Sequence, residues 1–229
     1  MDRTGLEGKG CIATTKLEKE RKNIMYEKLN FTIEGVTPTI MHNGRGASFF
    51  FPITKEIKKI TSKKSKKTEE DHIMLAKLEW LSSLYTTDEF EFDMNNKITI
   101  HGGGVPCWPG INIEAMVCEA GKTRSKGRDI KKFVMCNDDW PIIYDGPKTI
   151  NELFSDSRFW DQRLVVVNRS RTMRTRPIFK KWKLQFEIMY MPSRIDRDIL
   201  IDIVREAGIS VGLSDYRPKF GRFNIVNVE

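Results

Sequence analysis

Three histidines, His42, His72 and His101, are the only side chains here whose ordinary charge change falls near neutral pH. His42 stands in Met41-His42-Asn43-Gly44-Arg45 and is the best placed of the three for acid–base work. His72 sits beside acids inside a helix-like stretch and reads as a surface or cap residue. His101 precedes three glycines and reads as a turn residue or a phosphate contact. No G-x-S-x-G, H-E-x-x-H or Walker sequence is present. Cys11, Cys107, Cys118 and Cys136 include no CxxC pair and read as buried reduced thiols. A zinc site of Cys107, Cys118, Cys136 and His101 matches no finger or ribbon spacing. Asp138, Asp139 and Asp145 are better explained as a solvated turn than as a metal site. The expectation is a protein that is not an enzyme and uses no metal or cofactor.

Charge points elsewhere. The formal net charge is +8, and it is sharply segregated. Residues 55–67 hold seven lysines and one glutamate, residues 122–132 six basic residues and one aspartate, and residues 169–183 seven basic residues and no acid. The rest of the chain carries nineteen basic against twenty-nine acidic residues. Three separately solvated loops would account for this, but solubility alone gives little reason for such segregation. The expectation is a surface converging on a polyanion, of which nucleic acid is the commonest.

The segments differ in character. Lys63, Lys64, Lys66 and Lys67 form a lysine–serine tip that supplies charge without geometry. Lys122, Arg124, Lys126 and Arg128 follow a helical stretch. Arg169, Arg171, Arg174 and Arg176 alternate with small polar residues as an extended hairpin arm would. Arginine grips phosphate bidentately and stacks on bases. Lys180 and Lys181 follow, with Phe179 and Trp182. Aromatics beside arginines suit single-strand binding. Trp182 either joins that surface or begins the core of the next strand.

These residues need a scaffold. The chain has 229 residues, is 39% hydrophobic and 31% charged, and has no apolar run of membrane-spanning length. No secretory leader is evident in Met1-Asp2-Arg3-Thr4-Gly5. A cytoplasmic protein is expected, with a flexible polar arm over residues 1–27 and one domain over residues 28–229 bearing basic insertions near 55–67, 122–132 and 169–183. Leu29, Phe31 and Ile33 alternate with polar residues and predict a half-buried strand. Thr68-Glu69-Glu70-Asp71 predicts a helix start, with Ile73, Leu75, Leu78, Trp80, Leu81 and Leu84 inward. Phe90 and Phe92, then Ile98 and Ile100, predict a hairpin about Asn95-Asn96. Pro109 opens a helix burying Ile113, Met116, Val117 and Ala120, with Gly121 as its stop. Strands are predicted at 133–135, 142–144, 164–167 and 182–188. A helix over 196–207 with Ile199, Leu200, Ile203 and Val204 inward stops at Gly208, and a strand over 223–228 closes the chain. Few helices among antiparallel-looking strands imply an α+β domain, and the second half reads as one limb of a ferredoxin-like or RRM-like fold.

Two segments carry a family resemblance. Val105-Pro106-Cys107-Trp108-Pro109-Gly110-Ile111-Asn112 resembles the proline–glycine-then-helix element of the RAMP superfamily, the RRM-based proteins that include Cas7-like subunits. Ile111-Asn112 replaces the family's small pair, and the basic residues Lys122 and Arg124 come late. Ala207-Gly208-Ile209-Ser210-Val211-Gly212, with Arg217-Pro218-Lys219-Phe220-Gly221-Arg222, is similar to the family's C-terminal glycine-rich loop. Thr37-Pro38-Thr39 sits where such proteins place a turn. Most of residues 30–229 also resembles a group of phage and prophage proteins with MHNGR-like and RPKFGRF-like motifs.

The resemblance implies a Cas7-like, RRM-like core binding single-stranded RNA or DNA by a sheet-and-loop surface, as repeated subunits in a filament or ring. Arg45 in the MHNGR segment joins the expected contacts. Gly208, Gly212 and Gly221 would let backbone approach phosphates, with Arg217, Lys219 and Arg222 as countercharge, or would simply make a tight connection. Family members that cleave use a histidine, for which His42 is the match, or an aspartate in the loop that here spans residues 42–47. That loop holds no acid. The expected function is a phage-encoded, sequence-tolerant, non-cleaving binder in a bacterial cell. The alternatives are a metal-independent endoribonuclease using His42, and an inhibitor docking its basic face on a host defence protein.

Overall fold

A computed structural model describes residues 25–94, 98–167 and 169–229. The arm expected over 1–27 lies, up to residue 24, outside the described residues, as do Cys11 and the turn at Asn95-Asn96.

In chain order the elements begin with β1 (Glu27–Gly35), β2 (Thr39–Ile40), α1 (Pro52–Thr61), α2 (Glu69–Ser83), β3 (Phe90–Asp93) and β4 (Thr99–Gly102). Then come β5 (Cys107–Pro109), α3 (Gly110–Thr123), α4 (Gly127–Phe133), β6 (Val134–Met135), β7 (Asp139–Ile143) and α5 (Ile150–Ser155). The chain ends with β8 (Trp160–Val167), β9 (Ser170–Phe179), β10 (Lys183–Tyr190), α6 (Arg197–Glu206) and β11 (Phe223–Val228).

The main sheet has the order β11-β1-β10-β7-β5, with β6 also on β10, and its pairs are antiparallel. Along the path β1-α3-β7-β10-α6-β11, the last strand lies beside the first, and the third lies between the first and second. That is the β-α-β-β-α-β arrangement of a ferredoxin-like, RRM-like α+β fold.

Alternation fixes which face is inward. Leu29, Phe31 and Ile33 of β1 and Leu184, Phe186 and Ile188 of β10 are buried. Phe31 lies opposite Phe186, and their rings stack with centroids 5.4 Å apart. Such a pair adds about 0.5–1.5 kcal/mol beyond its buried area. Over that face, α3 places Ile113, Met116, Val117 and Ala120, and α6 places Leu200, Ile203 and Val204, all buried. The opposite face carries Asn30, Thr32 and Gln185, and its charges pair with each other: Lys28 with Glu187 at 3.0 Å, Lys183 with Glu34 at 3.3 Å. It has no aromatic platform on β1 or β10. The sheet part of the expected sheet-and-loop surface therefore lacks both free cations and stacking rings on these strands.

Two insertions interrupt the core and meet each other. The first, from β2 to β5, contains α2; the second, from α5 to β9, contains the β8–β9 hairpin. Strand β2 pairs with β9, and α2 runs against β9. The Thr68 hydroxyl and the Asp71 carboxylate cap the start of α2 reciprocally. Trp80 is wholly buried, donates its indole N–H to Phe159 O at 3.0 Å, and stacks on Trp160 at 6.0 Å. That contact pins the base of the arginine hairpin to the body.

Several local expectations change. Ile73 is 49% exposed, because the covered part of α2 is its C-terminal half. Helix α3 does not stop at Gly121; an added methyl there would meet Ile130 Cδ1 at 2.1 Å, so the glycine makes room for α4. After α6 the chain passes through Gly208 in a π-type turn to Val211. Phe133 ends a helix, and the strand begins at Val134. Residues 122–132 end α3 and form most of α4, within the helical layer.

Candidate nucleic-acid interface

The loop between β2 and α1 shapes the centre. Asn43 caps its short 3-10 turn by accepting from Arg45 N at 3.0 Å. That turn sends Arg45 inward. Its guanidinium donates to Leu84 O at 2.6 Å and lies over Phe51 and Phe90, 5.0 and 4.9 Å from their centroids. Burial lowers its pKa from the ordinary arginine value. Arg45 is thus spent on holding its own loop, which corrects its expected place among strand contacts.

His42 walls two hollows. The larger, about 570 Å³, is bounded by the 42–47 loop, Lys58 of α1, Glu79 and Ser83 of α2, and Arg174, Thr175 and Arg176 of β9. The smaller, about 190 Å³, lies among Tyr85, Trp108, Asn112 and the loop Leu213–Arg217. The two share His42 as a wall, and the pair is called the His42 groove.

Ion pairs hold its walls. Glu79, largely buried, pairs with Arg174 and accepts from Thr175 N at 3.0 Å. Burial raises the Glu79 pKa, opposed by Arg174. Arg176 pairs with Asp215 at 2.6 Å, tying β9 to the C-terminal loop. Arg163 reinforces that tie by pairing with Asp161 and lying over the Phe220 ring at 4.5 Å. His42 Nδ1 is 3.4 Å from Ser83 Oγ. Desolvation, then Arg176 and Arg174, lower its pKa against the pull of Asp215.

The structure sorts the expected contacts sharply. Trp182 is 2% exposed and donates to Thr37 O at 2.9 Å, so its ring is core and offers nothing to stack on. Arg176 is buried and Arg174 half-buried, each in an ion pair. Arg169 and Arg171 are exposed near the hairpin tip, without partners among the described residues. Lys180 and Lys181 lie exposed at the other end of β9, roughly 30 Å from that tip at ~3.3 Å per residue. Segment 169–183 is therefore not one patch.

The segment 122–132 is half compensated. Lys122 pairs with Glu119, Arg124 with Glu206 at 2.9 Å, and Lys126 with Asp129 at 3.9 Å; Arg128, Lys131 and Lys132 stay exposed. At the lysine tip, Lys63 pairs with Asp71 at 2.5 Å, leaving Lys64 and Lys66 exposed and Lys67 half-buried. Arg217 and Lys219 are exposed; Arg222 donates to Pro218 O at 2.9 Å within its own loop.

The glycines serve the chain's own backbone. An added Cβ would meet Cys136 O at 1.7 Å from Gly110, Phe223 O at 2.3 Å from Gly208, Phe220 O at 2.8 Å from Gly212 and Leu213 O at 2.3 Å from Gly221. Gly208, Gly212 and Gly221 are all buried, so the reading as a tight connection holds. Pro109 is the residue before α3, with Gly110 as its first turn.

Two residues were missed. Phe49 and Phe50 are 69% and 94% exposed, and Lys58 Nζ stands 3.0 Å from the Phe49 ring centre. Three consecutive phenylalanines before a helix read as core, yet only Phe51 turns inward. The hairpin also exposes Leu164, Val166 and Met173.

Among the described residues no three His, Cys, Asp or Glu side chains are grouped as metal ligands. Burial pushes the Cys107 and Cys136 thiols up to about 12. Among the described residues no helix is long and apolar enough to cross a membrane.

No family model and no curated protein sequence matches the chain. Among solved structures it is similar to a chain of a type III-B Cmr-beta complex bound to cognate target RNA. The identity is 13% and the TM-score 0.45, over 98% of this chain and 67% of that one.

Proposed function

We propose that the protein binds single-stranded nucleic acid along the His42 groove and does not cut it. The observation that carries this is the pair of free cations at the hairpin tip, Arg171 on β9 and Arg169 in the turn before it, beyond a groove wall whose own Arg174 and Arg176 are already paired. Lys58 on the wall of the larger hollow adds a cation, the exposed Phe49 ring beside it and the next residue Phe50 add stacking faces, and Arg217 adds a cation at the smaller hollow. Cations that track a backbone, with rings for successive bases, suit a strand read without sequence preference. Duplex DNA would leave the rings unused.

In this reading the chain is a phage-encoded, Cas7-like member of the RAMP superfamily, acting in a bacterial cytoplasm. Copies assemble in a filament or ring along their strand, using the hairpin and its exposed Leu164, Val166 and Met173. Filter binding to single-stranded and duplex DNA and RNA across a salt series tests it. Single strands should bind more tightly, with affinity falling steeply as salt rises. A flat salt dependence would sink the reading.

A second reading rests on the position of His42 on the wall of both hollows, with its Nδ1 3.4 Å from Ser83 Oγ and burial favouring its neutral form. A neutral imidazole there could take a proton from a ribose hydroxyl, making the protein a metal-independent endoribonuclease. RNA products lost in His42→Ala would favour it over a binder.

A further inference from the structure

The larger hollow has an acid built into a wall that is otherwise cationic. Its described lining holds three cations, Lys58, Arg174 and Arg176, and one carboxylate, Glu79. Glu79 projects from α2 and is 6% exposed. One carboxylate oxygen accepts from Arg174 Nη1 and the other from Thr175 N at 3.0 Å. Arginine side chains and backbone N–H groups are also the donors that hold phosphate oxygens in nucleic-acid complexes. A buried pair of this kind is weak evidence for stability, since apolar packing often serves a fold as well.

The two arginines of the wall differ in reach. Arg176 is buried with its Nε enclosed, and Asp215 of the C-terminal loop holds it. Arg174 is half-buried and engages Glu79 through Nη1 alone. Among the described residues its Nε and Nη2 have no partner, and neither is enclosed. Its guanidinium therefore keeps two donors outside the pair. A phosphodiester arriving at them places two anions on one guanidinium. The phosphodiester stays ionised near neutral pH and keeps water on its outer side. Glu79 lies in a desolvated wall, and burial already raises its pKa against the pull of Arg174. The buried carboxylate is the anion that gives way.

We infer that a phosphate of the bound strand takes the Arg174 guanidinium from Glu79, and that Glu79 takes up one proton from solvent as its partner leaves. The inference rests on the nucleic-acid reading above and adds a proton-linked exchange at one position of the groove. At rest Glu79 holds the guanidinium; in the complex the neutral acid keeps its hydrogen bond from Thr175 N. The charged and titratable groups around Glu79 are Arg174 and Arg176 of β9, His42 of the 42–47 loop and Lys58 of α1. Of these, His42 is the other group that gains a proton as phosphate arrives. Binding that takes up protons tightens as pH falls.

The test titrates the protein with oligothymidylate and oligouridylate, whose bases stay neutral near pH 7, by calorimetry in two buffers of different ionisation enthalpy. Heat that varies with the buffer counts the protons taken up. Wild-type affinity should rise several-fold between about pH 8 and about pH 6, with about tenfold per pH unit as the limit for one proton. Glu79→Gln keeps an acceptor for Thr175 N and leaves Arg174 free. It should bind several-fold more tightly at the upper pH, with a steeper salt slope and less proton uptake. His42→Gln should retain the share of uptake that Glu79→Gln loses. Uptake that is absent, unchanged in Glu79→Gln, or abolished by His42→Gln alone would overturn the exchange and leave nucleic-acid binding standing. Failure to bind any strand would overturn both.

Discussion

At the residue scale, an arginine's partner decides what it can do. Arg174 neutralises the buried Glu79, so Arg174→Ala leaves a carboxylate uncompensated and should lower stability by about 2 kcal/mol, below the range for a fully buried pair because Arg174 is half exposed. Arg169 and Arg171 hold nothing among the described residues, so replacing both with glutamine should leave the melting temperature unchanged and weaken strand binding several-fold. Thermal melts beside anisotropy titrations separate the two classes. His42 gives a pH prediction. Its folded-state pKa lies below the ordinary 6.5, so the folded state resists protonation. Its contribution is therefore complete above about pH 6.5 and is lost as pH falls through the lowered value. His42→Gln should shrink the drop in melting temperature between pH 7.5 and 5.5. An undiminished drop would mean that other groups dominate acid destabilisation.

At the element scale, the meeting of β5, α3 and β6 depends on Gly110. An added methyl would lie 1.7 Å from Cys136 O, a backbone atom that cannot swing aside. Gly121 faces Ile130 Cδ1 at 2.1 Å, the movable end of a side chain, and Gly44 faces nothing within 4 Å. Alanine substitutions should therefore rank Gly110 as most damaging, by several kcal/mol, then Gly121, with Gly44 near neutral. Chemical denaturation of the three variants checks the order. A Gly110→Ala protein of unchanged stability would show that the α3 entrance can shift.

At the scale of the whole molecule, the two insertions form the groove only because β2 pairs with β9 and α2 braces β9. The β8–β9 hairpin leaves Leu164, Val166 and Met173 exposed. Under the proposed assembly, complex mass should grow with strand length across about 20, 40 and 80 nucleotides. Replacing Leu164, Val166 and Met173 with serine should leave one-copy binding intact and remove that growth. Light scattering reads both, and one small complex at every length would leave a monomeric binder.

By itself the sequence determined the elements whose signals are local. Alternation in Leu29–Ile33 wrote β1, Thr68 and Asp71 wrote the cap of α2, and the 169–176 run wrote a hairpin arm that is there as β8 and β9. The tertiary structure decided which residues of those elements stay available. Trp182 and Arg176 have the right chemistry for a strand, but their positions beside Thr37 and Asp215 turn them inward. Phe50 has core chemistry and is left outside. The groove unites residues of α1, α2, β9 and the loop before β11, up to 175 positions apart from His42 to Arg217. Charge density is a property of a segment, and legible in one. Ion pairing and burial depend on partners far along the chain, so only the fold could separate the free cations from the spent ones.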